Sequence, residues 1–305
     1  MTSGVSLSIA SVNYSVSCEY PVDGGSLDAP YTAFLDTRCQ SPEAIGIAVR
    51  LEVGDASLPP DLTPVFDTGE SYVIGTDGDF YYLTLQPGRL SGQQLWTAQI
   101  ARDVTSVTVY CGERMVSRAG DGITLSNPLT YPLDQILLMH VLARHEGALV
   151  HAAGASIGGK ALMFAGRSGA GKSTLSRLLD GRPGLELLSD DRIAVRKVGG
   201  TFTAYGTPWP GDQGAALNEK AELCGICFLR HAGTNRIEPL TPGEAIERLL
   251  PVTSVPWYDR DAVSGALPFL DDLLAHVPAF DLHFTPGAGV AELAEDLLQT
   301  NSQRH

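Results

Sequence analysis

The nonapeptide Gly166-Arg167-Ser168-Gly169-Ala170-Gly171-Lys172-Ser173-Thr174 reads G-x-x-x-x-G-K-S, and no other stretch restricts the fold as tightly. A loop of this kind leaves a strand and enters a helix. Its glycines turn successive main-chain N–H groups toward a polyphosphate, and the helix adds the positive end of its dipole. Both flanks have the required pattern. Ala161-Leu162-Met163-Phe164-Ala165 is an apolar run of buried-strand length. Leu175, Leu178 and Leu179 fall at helical spacing, and Asp180-Gly181-Arg182-Pro183-Gly184 ends the run. Within the loop Lys172 is expected to reach the outer phosphates and Ser173 to ligate Mg²⁺.

Two acids follow at a telling distance. Leu185-Glu186-Leu187-Leu188-Ser189 reads as a strand that ends in Asp190-Asp191, 18 residues beyond Lys172. That leaves room for one helix, one turn and one strand, so the doublet is expected on a strand near the phosphates. One acid could hold or orient Mg²⁺ while the other takes a proton from an acceptor hydroxyl. His151 ends another apolar stretch, fifteen residues before Gly166, where it could hydrogen-bond one aspartate or serve only as a structural residue. His140 and His145 read as surface or packing residues.

Charge narrows the partners. Lys and Arg number 21 against 35 Asp and Glu, a net charge of −14. Nucleic acid and acidic membranes are repelled by that average field, although one basic pocket can still bind a phosphate. With 305 residues and 44% hydrophobic content, one large or two ordinary domains can form. No apolar run approaches bilayer-spanning length and no secretory leader is evident, so a reducing cytoplasm is the expected compartment. Cysteines 18, 39, 111, 224 and 227 are scattered. The pair Cys224-Gly225-Ile226-Cys227 has metal-site spacing, but it lies inside an apolar run and reads as buried, inert thiols.

Along the chain, residues 1–128 form a β-rich region and residues 129–305 a second domain. Alternating segments at 5–17, 45–53, 71–74, 80–85 and 106–109 are separated by turn clusters at 23–25, 59–60 and 76–79, with Asp77-Gly78-Asp79 the best hairpin signal. The pattern predicts a helix over 131–146, then a hairpin turning at Gly158-Gly159 whose second strand delivers the glycine loop. Strands are expected at 193–198, 202–205, 223–229 and 280–284, and helices at 242–250, 262–276 and 290–298. The loop Gly206-Thr207-Pro208-Trp209 either shapes an acceptor side or is simply a rigid turn. Lys220, Arg230 and Arg248 are each candidates for a further phosphate clamp.

His151-Ala152-Ala153-Gly154, the loop from Phe164 to Thr174, and Leu187-Leu188-Ser189-Asp190-Asp191 together resemble the bacterial HPr kinase/phosphorylase family. The likeness spans residues 148–230. It implies an α/β (α+β) fold, the P-loop core shared with phosphoenolpyruvate carboxykinases, mainly antiparallel and here preceded by the β-rich domain. By position it implies Lys172 and Ser173 at phosphate and Mg²⁺, Asp191 as base with Asp190 toward the metal, His151 beside them, and Glu219 as a second metal-directed acid. Thr174 stands where that family has an acidic residue. The whole chain is more similar to HPr-kinase-like proteins of peptide-modification clusters, some of which phosphorylate a serine of a precursor peptide. The expected activity is ATP- and Mg²⁺-dependent transfer to a hydroxyl of a peptide or small protein. A small-molecule hydroxyl kinase and a non-catalytic ATP-binding scaffold are the alternatives, and a homo-oligomer is compatible with either.

Overall fold

The computed structural model describes residues 3–23, 29–35, 41–85, 95–119 and 122–302. It is a mixed α/β structure of several sheets and few helices, and it divides into two compact units, Met1–Leu137 and Leu138–His305. Cys39 and the Gly24-Gly25 turn lie outside the described residues.

The first unit is built from strands β1 (Ser3–Ile9), β2 (Val12–Cys18), β3 (Val22–Asp23), β4 (Ile45–Val53), β5 (Thr63–Asp67), β6 (Tyr72–Thr76), β7 (Phe80–Leu85), β8 (Trp96–Ala101), β9 (Ser106–Cys111), β10 (Val116–Ala119) and β11 (Gly122–Ser126). Eight of them form one sheet in the order β1-β2-β4-β9-β8-β7-β6-β5, and β10-β11-β3 form another. On β2, buried Val12, Tyr14, Val16 and Cys18 alternate with less buried residues, as a half-buried strand requires.

The alternating segment 5–17, expected as one strand, is a hairpin. Ala10 and Ser11 turn between β1 and β2, with Ile9 opposite Val12. The apolar positions run 5, 7 and 9 before the turn and 12, 14 and 16 after it, so the period-2 phase slips by one there, and that slip is the turn's only trace in the pattern. Both turn residues have left-handed φ, 53° and 61°, without being glycine or asparagine. A two-residue turn of that hand prefers Asn-Gly. Ser11→Gly is therefore expected to raise stability by about 1 kcal/mol, read as a higher unfolding midpoint in urea.

Helix α1 (Leu133–Arg144) carries the division between units, some ten residues beyond the expected boundary at 128. Composition changes where strands give way to helix, but the first turn of α1 is tied to the β unit. Tyr31 donates to the Asp134 carboxylate at 2.7 Å, and Tyr14 donates to the Asp134 main-chain oxygen at 3.2 Å.

The second unit comprises β12 (Gly147–Ile157), β13 (Lys160–Ala165), α2 (Lys172–Leu179), β14 (Leu185–Ser189), β15 (Arg192–Val198), β16 (Thr201–Tyr205), β17 (Lys220–His231), β18 (Arg236–Pro239), α3 (Pro242–Leu249), β19 (Thr253–Ser254), α4 (Arg260–His276), β20 (Ala279–Phe284) and α5 (Ala288–Ser302). Its nine-stranded sheet runs β13-β12-β15-β16-β17-β20-β18, with β14 and β19 also on β12 and a further β13–β17 pairing. Only β13–β17 and β17–β20 are parallel, and the other pairs are antiparallel.

Successive β13 residues serve opposite cores. Ala161, Met163 and Ala165 pack in the cluster with α3 and α4, whereas Leu162 and Phe164 join Leu175, Leu179 and the apolar side of α5. A strand buried on both faces reads as a continuous apolar run, which is what residues 161–165 show. Leu175 and Leu179 are fully buried, worth about 1.5–3 kcal/mol each. They hold α2, and hence the end of the glycine loop, against the sheet.

Candidate functional site

Strand order assembles the site. β12 lies between β13 and β15, and the registers set Ala152 opposite Ala165 and His151 opposite Arg192. The end of β13 that opens the glycine loop and the turn carrying the acid doublet therefore both arrive at His151. The main chain repeats this arrangement, with Gly166 N–H donating to His151 O at 3.4 Å and Ala152 N–H to Asp191 O at 3.1 Å. Around this point is a cleft of about 370 Å³ lined by His151, Ser168, Gly169, Gly171, Lys172, Ser173, Thr174, Asp190, Asp191, Gly211, Asp212 and His231. A larger groove of about 670 Å³ lies along the ends of β2 and β4, but its one cation, Arg50, is paired with Glu52, and Glu19 adds a further negative charge. Chemistry rather than size selects the first.

The loop needs its glycines. Gly169 and Gly171 have φ of 81° and 106°, conformations that L side chains rarely adopt, and a Cβ on Gly171 would run into the Phe284 ring. Lys172 opens α2 and is 7% exposed. Its Nζ donates to Gly166 O at 2.9 Å and lies 3.4 Å from Arg167 O. Burial lowers its pKa, Asp191 opposes that shift and Arg192 adds to it. Ser173 and Thr174 are half-buried on the first turn of the helix.

The doublet divides into two different environments. Asp191 is half-buried and its Oδ1 is 3.0 Å from His151 Nε2, with Arg192 Nε 3.6 Å from the other oxygen. Burial works against its ionisation. The His151 hydrogen bond, the Arg192 charge and the Lys172 charge together outweigh burial and hold the carboxyl below its ordinary value. Asp190 is 2% exposed and faces main-chain amides: its Oδ1 accepts from Gly211 N at 2.8 Å and Ala215 N at 3.2 Å, and its Oδ2 from Gln213 N at 2.7 Å.

Several candidates stand away from the cleft. Glu219 is exposed and is not among the lining residues. Arg230 and Arg248 both pair with Asp281, at 3.3 and 2.9 Å, and Lys220 starts β17 with its ammonium over the Tyr205 ring. His140, read as a surface or packing residue, is 3% exposed along its side chain and sits in a buried ionic cluster: its Nδ1 is 3.3 Å from Asp259, its Nε2 2.8 Å from Tyr258 Oη. Burial raises the Cys224 thiol to about 11 and raises Cys227 further, as inert thiols require. Among the described residues no group of three or more His, Cys, Asp or Glu is placed to hold a metal.

Sequence reasoning missed His231. It ends β17, its ring lies 5.2 Å from that of Phe284, and its Nε2 lies 3.3 Å from Gly169 O. A carbonyl only accepts, so Nε2 carries the proton in this bond. Parallel pairing of β17 with β13 brings His231 to the loop, and no local pattern around Arg230-His231 announces a parallel neighbour.

No protein-family model matches the chain, and no curated protein matches its sequence. Among solved structures, that of the Hpr(Ser) kinase/phosphatase from Coxiella burnetii aligns with a TM-score of 0.29 and 14% identity, over 50% of this chain and 90% of that one. A superposition this loose carries no argument about activity. Among the described residues no helix is long and apolar enough to cross a membrane.

Proposed function

We propose that the protein is an ATP- and Mg²⁺-dependent kinase that transfers the γ-phosphoryl group to a hydroxyl, a Ser or Thr of a peptide or small protein. The observation that carries this reading is the 3.0 Å His151–Asp191 contact in the cleft that also holds Lys172 and Ser173.

The residues suit a magnesium–nucleotide complex. The left-handed glycines free loop amides to face phosphate oxygens, Lys172 supplies a cation, and the Ser173 hydroxyl is an oxygen donor of the type Mg²⁺ takes. Ser173 would hold Mg²⁺, which would supply neutralisation of the phosphate charge. Every other role falls to the chain. The loop amides and Lys172 orient the triphosphate and stabilise charge on it. Asp191 accepts the proton of the acceptor hydroxyl, and His151 fixes its carboxylate toward that proton. A carboxylate with a depressed pKa is a weak base, which suffices where the transition state is loose and the proton leaves late. Among the described residues Cys18, Cys111, Cys224 and Cys227 are buried and unbridged, which suits a reducing compartment.

Replacing Lys172 by alanine tests this reading. MgATP affinity, measured by calorimetry, is expected to fall at least about tenfold, which is 1.4 kcal/mol, and labelled phosphate should no longer reach protein or peptide acceptors in a cell extract. Unchanged nucleotide affinity would sink the assignment.

A further inference from the structure

We infer that Asp190 is a positioning residue rather than a catalytic one: it holds segment 206–217 in place as the acceptor-side wall of the cleft. This rests on the kinase reading above. Three main-chain N–H groups converge on one carboxylate that is 2% exposed. Hydrogen bonds to an ionised acceptor are about twice as strong as neutral ones, so this side chain is the segment's principal clamp.

The rest of the segment is tied to the same strand end. Gly206 N–H donates to Glu219 O at 3.0 Å and Leu217 N–H to Leu188 O at 2.9 Å. Ser189 bridges Ala216, and Thr207 Oγ1 donates to Arg192 O at 2.8 Å. Residues 206–209 are buried, Trp209 included. Gly206 has no room for a side chain, because a Cβ would collide with the carbonyl oxygens of Leu217 and Leu188.

Only the apex of the segment, Gly211 and Asp212, reaches the cleft lining. A Cβ on Gly211 would sit 3.4 Å from Asp191 Cβ and 2.9 Å from Asp190 Oδ2. In the kinase reading, a hydroxyl seated beside Asp191 on this side meets Gly211 and Asp212. Asp190 fixes that side without touching the reacting atoms. The two acids act from opposite sides of one peptide unit, one on the substrate and one on the wall that admits it.

The test uses the full chain with Asp190→Asn and Gly211→Ala. Asparagine turns an NH₂ toward main-chain N–H groups, and the alanine methyl crowds the clamp while leaving both carboxylates intact. Both variants are expected to speed hydrogen exchange of the 211–215 amides by about tenfold or more. MgATP affinity should stay within about twofold, and the ratio of ATP hydrolysed by water to phosphate transferred to a degenerate Ser/Thr hexapeptide pool should rise about tenfold. The inference is overturned if Asp190→Asn leaves amide exchange unchanged while hydrolysis and transfer fall together to the level of Asp191→Asn. If the wild-type protein moves no phosphate at all, the kinase reading fails. Exchange at Gly211, Gln213 and Ala215 then decides the anchoring by itself: slow in wild type and fast in both variants supports it, and equal rates refute it.

Discussion

Asp191→Asn is expected to lower phosphoryl transfer by about 10²–10⁴-fold while MgATP still binds within about twofold of wild type, the signature of a lost proton acceptor. The substitution keeps the shape of the side chain and its contact with His151 but removes the charge that would receive a proton. Asp191 is one-third exposed along its side chain, so folding should be little affected, and a circular dichroism melt is the control. The pH profile carries a second check. His151, Arg192 and Lys172 hold the carboxyl below its ordinary value of 3.8 against the opposing effect of burial. The base is thus ionised throughout the neutral range, and transfer should not lose this group until the pH falls below about 4. An acid limb near neutrality would show that some other residue accepts the proton. Equal loss of nucleotide affinity and transfer would move Asp191 from proton chemistry to binding.

The largest expected effect on stability lies away from the cleft, at Asp259. Its side chain has no exposed surface, and its two oxygens serve different partners. One oxygen caps α4, accepting from Asp261 N at 3.0 Å and Ala262 N at 3.2 Å. The other pairs with Arg144 and lies 3.3 Å from His140 Nδ1. Asp259→Ala leaves the half-buried Arg144 guanidinium without its carboxylate and uncaps the helix, so a loss of about 3–5 kcal/mol is expected. That approaches the whole stability of an ordinary domain, about 5–15 kcal/mol. Urea unfolding of wild type, Asp259→Ala and Asp259→Asn measures it, and the asparagine variant should fall between them because its side-chain oxygen still caps. A change under about 1 kcal/mol in the alanine variant would mean the cluster contributes nothing net. Burial alone would raise this carboxyl; the His140 and Arg144 hydrogen bonds and the Ala262 amide instead depress it far below 3.8. A depressed carboxyl stabilises fully above its unfolded pKa and loses that contribution as pH falls. The difference between wild type and Asp259→Ala should therefore be constant from neutrality to about pH 5 and shrink below about pH 4.

Much of this protein was legible in order along the chain. The glycine loop, the apolar run before it and the leucines after it each state a local preference, and β13, the loop and α2 follow them because backbone conformation is set largely by neighbouring residues. Gly158 and Gly159 marked the β12–β13 hairpin for the same reason, both adopting left-handed φ. The turn at Ala10-Ser11 was missed because neither residue type signals a turn; its one trace is the slip of the apolar phase from positions 5, 7 and 9 to 12, 14 and 16, which a reading of 5–17 as one strand passes over. Glu219 and Asp190 show the limit from the other side. Glu219 was named from the family resemblance and Asp190 from its place at a strand end; Glu219 is exposed and off the cleft lining, and three main-chain amides converge on Asp190.

What the sequence determined by itself is a pair of local features: a glycine-rich turn that carries Lys172 and Ser173, and a doublet of acids, each readable because its residues are contiguous. What only the tertiary structure decided is which members meet. Pairing of β12 with β13 on one edge and β15 on the other sets His151 between loop and doublet. Parallel pairing of β17 adds His231, and the fold of segment 206–217 turns one aspartate inward and leaves its neighbour facing the cleft. These outcomes depend on hydrogen-bond ladders between residues far apart in the chain. Such a ladder forms between main-chain groups that every residue shares, so side-chain identity along one segment cannot name its partner.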